Sequence, residues 1–405
     1  MGPGLPLAGV HPEPTSRRGR PALAAKGFRP FFLLAALFAI AIVPSWLLVL
    51  TGALPVGSYL DPVAWHAHEM IFGFVVAVIA GFLLTAVGNW TQRETLTGAP
   101  LLALSALWLL GRIAMIFAAR LPRAVPALVD LAFLPLLIFV LARPLIASKN
   151  YRNLVMLAIL GALFLANLVM HLQGLAVLPI GFARRAGLVG IDVVLLIILI
   201  IAGRVFPMFT RNATRVTSIR SNVRLDVATV VAMAVLTLLD AFFAGPRLAA
   251  CVAGVAGVLA AARALHWGAQ YSLRQPLLWI LHAGYAWLVL GLLLRAVGTL
   301  DVAVSGSLAT HALTVGAVGS LTLGMMARVA LGHTGRPLIV SPAMAWGFAA
   351  INGAAIARTL APLVAGSWYF STLVAAGALW TLAFVLFVVV YAPVLTKPRI
   401  DGKAG

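Results

Sequence analysis

The stretch Trp65-His66-Ala67-His68-Glu69-Met70-Ile71-Phe72-Gly73 sets two imidazoles and a carboxylate at the mouth of a long apolar run. Imidazole nitrogen and carboxylate oxygen are metal ligands, haem iron takes an imidazole axially, and copper accepts the same donor. On a helix turning about 100° per residue, His66, Glu69, Met70 and Gly73 share one face, while His68 leaves about 200° away from His66. The spacing therefore predicts that one helix serves two different partners. A lone histidine at a helix mouth is usually an interfacial residue. Two with a glutamate in an otherwise uncharged span point to a site or a pathway.

Other residues of the same chemical kind are spread along the chain. His171 beside Met170, His311, His282 and His333 join His66, His68 and Glu69 as candidate metal ligands. Arg204, Arg295, Arg328 and Arg358 are candidates for holding an anionic group such as a haem propionate. His266, beside Trp267, reads as interfacial. The single cysteine, Cys251, excludes an intramolecular disulfide and a cysteine-based metal cluster, so any metal must use His, Met or carboxylate.

The elements that position these groups are membrane helices. Of 405 residues, 62% are apolar and only 10% charged, and the mean hydropathy is +1.06, a balance that excludes a soluble domain with a water-facing surface. The net charge of +19 does not signal nucleic acid, because the basic residues fall in short clusters between apolar runs, as the positive-inside rule produces. Spans of roughly 20 residues are expected near 31–52, 64–88, 100–119, 124–147, 153–174, 184–208, 224–245, 247–266, 276–296, 307–330, 342–363 and 369–394. The fold class is thus an all-α polytopic membrane protein of about twelve transmembrane helices. Residues 1–26 read as a disordered basic arm, 27–396 as the transmembrane domain and 397–405 as a tail.

With both termini cytoplasmic, most of the 29 Lys/Arg fall on the inner side. Arg120, Arg123, Arg184, Arg185 and Arg247 fall outside, and Arg112, Arg295 and Arg358 within spans. In that orientation Glu69, Asp130, Asp192, Asp240, Arg295, Arg358, His66, His68, His171 and His311 all lie in the outer half. This predicts a polar outer cavity, with acid and arginine pairs that merely lock helices together as the rival. Helices 2, 6 and 10 begin near 64, 184 and 307, a regular spacing that hints at three four-helix units. Helix 2 (Gly73, Ala77, Gly81, Thr85) and helix 10 (Ala312, Gly316, Ser320, Gly324) carry matching stripes of small residues.

Several blocks together resemble the NnrS family: Phe28-Arg29-Pro30-Phe31-Phe32, the Trp65 to Gly73 stretch, the segment from Arg204 to Asn212, and the run from His311 through Gly324-Met325-Met326-Ala327-Arg328 to Gly332-His333-Thr334-Gly335-Arg336-Pro337-Leu338. The resemblance implies a twelve-helix protein of the bacterial inner membrane that contains haem and copper. It also implies nitric oxide, or a small molecule derived from it, as the partner, in metabolism or in nitrosative-stress defence, with turnover and electron donor open. Two other readings are carried: a transporter of a small anion or metabolite without haem, its anion at Arg295 and Arg358, and a non-catalytic haem-based sensor.

Overall fold

Asp61 starts the helix that carries the two imidazoles. Its Oδ1 accepts from the amides of Val63 and Ala64, both at 3.2 Å, and Pro62 takes the first helical position, where a missing N–H costs nothing. The same device, a polar cap followed by proline, opens the helix at Ser341-Pro342, where the Ser341 hydroxyl accepts from the Met344 amide at 3.3 Å.

The computed structural model describes residues 21–54, 59–243, 245–298, 306–363 and 368–402, and no strand occurs among them. The long helices are α1 (Phe28–Leu50), α2 (Pro62–Thr91), α3 (Ala99–Ile116), α4 (Ala124–Ala147), α5 (Tyr151–Gly174), α6 (Phe182–Thr214), α7 (Val223–Phe242), α8 (Pro246–Ala264), α9 (Pro276–Val297), α10 (Gly306–Gly332), α11 (Pro342–Leu360) and α12 (Trp368–Thr396). Each coincides with an expected span to within a few residues at either end. Among the described residues, eleven are long and apolar enough to cross a bilayer. The other is α11, whose apolar character is diluted by Asn352 and Arg358; Asn352 is accommodated by accepting from Trp287 Nε1 at 3.0 Å and donating to the Phe348 carbonyl at 2.9 Å.

Two of these helices are not uniformly α. In α2 the residues Glu69–Val75 are wound as π-helix directly after His68, and in α10 the residues Ala312–Gly319 are so wound directly after His311. His68, Gly73 and Gly81 stand at the same relative spacing as His311, Gly316 and Gly324, so the likeness between helices 2 and 10 extends to backbone geometry. The glycines within the π-segments admit a neighbouring ring. A Cβ on Gly73 would lie 2.6 Å from Phe38, and one on Gly316 would lie 2.6 Å from Trp287.

Burial identifies the inner helices. Over its most apolar stretch α2 is 83% buried, α10 72% and α6 61%, against 50% or less for the other spans. The three helices that begin at regular spacing in the sequence are therefore the ones wrapped by the rest. From α5 to α9, α6 included, successive helices pack as neighbours, and α1 closes against α12, which packs on α11.

The start of α1 and the end of α12 meet at one face. Arg29, fully buried, donates from Nη1 to the carbonyls of Leu395 at 2.8 Å and Lys397 at 2.7 Å. Of the arm expected over residues 1–26, residues 1–20 lie outside the described residues. Within the rest of that stretch Ala22–Ala24 form a 3₁₀ turn, and the Ala24 carbonyl accepts from the Gly98 amide at 2.8 Å. The tail after α12 also docks, with Arg399 donating to the His333 carbonyl at 2.9 Å and the Ile400 amide to that of Thr334 at 3.2 Å. Burial, with the positive charges of Lys26 and Arg399 nearby, pushes the His333 imidazole down to about 4.

Candidate metal centre

His68 and His171 are fully buried at the end of the molecule opposite the termini, one on α2 and one on α5, with ring centroids 5.1 Å apart. Between them stands Asp130 of α4. Its Oδ2 lies 3.0 Å from His171 Nε2 and 3.4 Å from His68 Nε2, and accepts from Asn167 Nδ2 at 2.7 Å. Asn167, one turn before His171, also presents Oδ1 to His68 Nε2 at 3.0 Å. Ligand atoms of His68, Asp130 and His171 all fall within 4.8 Å of one another. A void with room for about one water adjoins Arg112, Asp130 and Asn167.

The hydrogen bonds around these rings fix what each nitrogen does. His171 Nε2 faces a carboxylate, so it carries the proton, and Nδ1 accepts from the Tyr59 hydroxyl at 2.8 Å. His68 has Nδ1 at 2.9 Å from Glu69 Oε1 and Nε2 on the Asn167 carbonyl oxygen, so both nitrogens face groups that only accept. Such a ring either holds two protons or gives a lone pair to a cation. Charge leads to the same requirement. Arg112 of α3 donates to Glu69 Oε1 at 2.8 Å and pairs with Asp130 Oδ1, leaving two carboxylates against one guanidinium in a fully buried setting. One further positive charge makes the cluster neutral.

His66, two residues earlier, belongs to different surroundings. Its ring stacks on Trp46 of α1 at 4.4 Å and 11° between planes, and its buried Nδ1 has no partner. It shares an electrostatic neighbourhood with His311 of α10 and Arg358 of α11. His311 donates from Nδ1 to the Ser307 carbonyl at 2.7 Å, which leaves Nε2 as the lone-pair nitrogen. Arg358 donates from Nη2 to Ser307 Oγ at 3.2 Å, while its Nη1 is buried without a partner.

The NnrS protein family model matches residues 22–399, from the turn before α1 to the docked tail. The chain belongs to the NnrS family. Comparison with curated proteins finds no match.

In this NnrS chain the remaining candidates are dispersed. Arg295 of α9 was expected to meet an anionic group; instead it spends both terminal nitrogens on carboxylates, Nη1 on Asp192 at 3.0 Å and Nη2 on Asp240. That is a lock joining α6, α7 and α9, and it removes one of the two arginines on which the anion-transport reading relied. Arg204 donates to Asn153 Oδ1 at 3.0 Å, and the Arg328 guanidinium lies 3.5 Å over the Phe209 ring. Glu69 places Oε1 between His68 and Arg112, and only its Oε2 is without a partner. His282 donates from Nε2 to Thr210 Oγ1 at 3.0 Å, far along α6 from the buried cluster, and His333 lies beside Phe28 at the terminal face. His266 is exposed, as its interfacial reading requires.

Four contributors were not expected as parts of this NnrS site: Arg112, Asn167, Tyr59 and Ser307. Asn167 had a usable signal, since a polar residue four before His171 shares its helix face. Tyr59 had none, because it lies in the loop ahead of α2 and reaches His171 only through the fold.

Proposed function

We propose that this protein is a haem- and copper-binding protein of the bacterial inner membrane that acts in nitric oxide metabolism or in nitrosative-stress defence, with both termini cytoplasmic. Family membership supports the cofactor class and the link to nitric oxide. The observation that carries the metal part is the buried His68, Asp130 and His171 set, with one uncompensated negative charge in the cluster and ligand atoms within 4.8 Å of one another. Two imidazoles and one carboxylate are donors that copper accepts.

His68 Nε2, Asp130 Oδ2 and His171 Nε2 would hold the ion. When bound, copper supplies a one-electron centre. Arg112 holds Asp130 and Glu69 in place, the Tyr59 hydroxyl fixes the His171 ring, and burial excludes water from the set. The test is one preparation with adequate haem and copper supply, measured for absorbance and metal content. A Soret band together with bound copper that falls in His68→Ala and His171→Ala is the expected outcome. Absence of Soret absorbance in the wild type would sink the haem reading, and copper content unchanged by both variants would sink this site.

A further inference from the structure

The lock between α6, α7 and α9 holds one negative group more than it can balance. Arg295 of α9 donates from Nη1 to Asp192 Oδ1 at 3.0 Å and from Nη2 to Asp240 Oδ2, so a single guanidinium meets two carboxyl groups. The Asp192 side chain is 1% exposed and that of Asp240 13%. Asp192 Oδ2 is buried, and no donor reaches it. The two carboxyl groups also meet each other in a side-chain hydrogen bond. With both ionised, that contact would set acceptor against acceptor beside an unbalanced charge enclosed between membrane helices.

One proton removes both conflicts. Carried by either carboxyl, it makes that group a donor to the other, as in other carboxyl pairs that share a site and cannot both ionise, and it brings the cluster to neutrality with Arg295. A metal cation would answer the charge but needs a void ringed by several oxygens. Asp192 Oδ2 is closed to solvent, and a proton needs no void. The charged groups that act on Asp192 among the described residues are Arg295 of α9 and Asp240 of α7, and the same two carboxyl groups act on Arg295. Arg185 of α6 is engaged by backbone, donating from Nε to the Asp240 carbonyl at 2.7 Å and from Nη2 to that of Phe243 at 3.0 Å, which ties the end of α7 to α6. The site is separate from the candidate metal centre. A Cβ on Gly190 would lie 3.4 Å from Ile71 of α2, and Asp192, two positions on, leaves α6 on the opposite side.

We propose that Asp192 and Asp240 share one exchangeable proton, clamped by Arg295, and that the pair is a proton-binding site of the helix bundle, filled and emptied through the more exposed Asp240. Release gives one proton to water and leaves two carboxylates on one guanidinium; uptake reverses the step. Acids within membrane helices that hold a proton in this way are stations of proton pathways.

The test is infrared difference spectroscopy of the purified full-length protein between neutral and alkaline pH, in water and in deuterium oxide. Wild type is expected to lose a carboxylic acid C=O band on going alkaline, a band that deuteration shifts. Asp192→Asn and Asp240→Asn each leave one carboxylate for one guanidinium, so the cluster stays neutral, and both variants are expected to lack the band. Asp192→Glu, which keeps two carboxyl groups, is expected to retain a band at a changed position, and it decides the matter where an Asn variant does not fold. A wild type without such a band overturns the proposal, as does a band that persists in both Asn variants or one that Asp192→Glu leaves unmoved.

Discussion

At the scale of single residues, the buried cluster is held by Arg112, a residue that sequence reading places inside a span without giving it a role. Its two bonds to Glu69 and Asp130 are what make two carboxylates tolerable away from water. Removing one partner of such a set leaves an uncompensated charge, at a cost of about 3–5 kcal/mol. Arg112→Ala is therefore expected to lower the thermal midpoint of detergent-solubilised protein sharply, and Arg112→Ala with Glu69→Gln and Asp130→Asn to recover much of the loss. Equal melting of the single and triple variants would show that charge is not the cause. The His66 and His68 side chains enter separate neighbourhoods, and that divergence was legible from their spacing alone. Which acid takes which arginine was not, because the pairs join residues dozens of positions apart and depend on helix order in the bundle.

His333 gives a second prediction at this scale. Its folded-state value of about 4 lies below the ordinary 6.5, so the unfolded chain binds more protons between those limits. Stability from the neutral, buried ring is present above about pH 6.5 and is lost as the pH falls toward 4. His333→Gln is expected to flatten this part of the acid limb of a melting-temperature profile. An unchanged profile would mean that the ring titrates alike in both states.

At the scale of elements, eleven of the described helices are written in hydropathy because lipid demands an unbroken apolar run for each crossing. The π-segments are not, since Glu69–Val75 and Ala312–Gly319 have the composition of any membrane helix, and their winding is set by what packs against them. The contact between α5 and the loop before α2 gives another test. Gly174 lies so near Tyr59 that a Cβ there would be 2.5 Å from the ring. Gly174→Ala must push the ring away, costing about 1–3 kcal/mol of packing and loosening the hydroxyl from His171. Copper content is expected to fall in this variant although no proposed ligand is changed. Full copper occupancy would show that Tyr59 does not hold the ring in register.

At the scale of the whole molecule, the regular starts of helices 2, 6 and 10 mark the three most buried helices, so a weak internal periodicity in the sequence corresponds to the inner layer of the fold. The Arg29 contact with the end of α12 puts both ends of the transmembrane domain on one face, and the two candidate cofactor clusters lie at the other. In the proposed orientation, which follows the distribution of Lys and Arg, the terminal face is the cytoplasmic one. Ser218, exposed after α6, reports on that assignment. In a Cys251→Ala background, Ser218→Cys is expected to resist an impermeant thiol reagent in intact spheroplasts and to react after lysis. Labelling before lysis would invert the orientation and place both clusters on the inner side.

The Arg29 contact also has a consequence for biogenesis. Helix α1 carries a guanidinium whose carbonyl partners, at Leu395 and Lys397, are translated 366 and 368 residues after it. Until they arrive, α1 can be threaded into the bilayer but lacks these two acceptors, and a buried guanidinium that is short of acceptors is costly in a membrane. Docking of α1 then waits for the end of α12, and a nascent chain interrupted before α12 exposes a mark that quality control can read. A stop codon at Tyr391 should accordingly yield a chain that inserts and is then degraded, whereas the same truncation with Arg29→Leu should persist longer in a pulse-chase experiment.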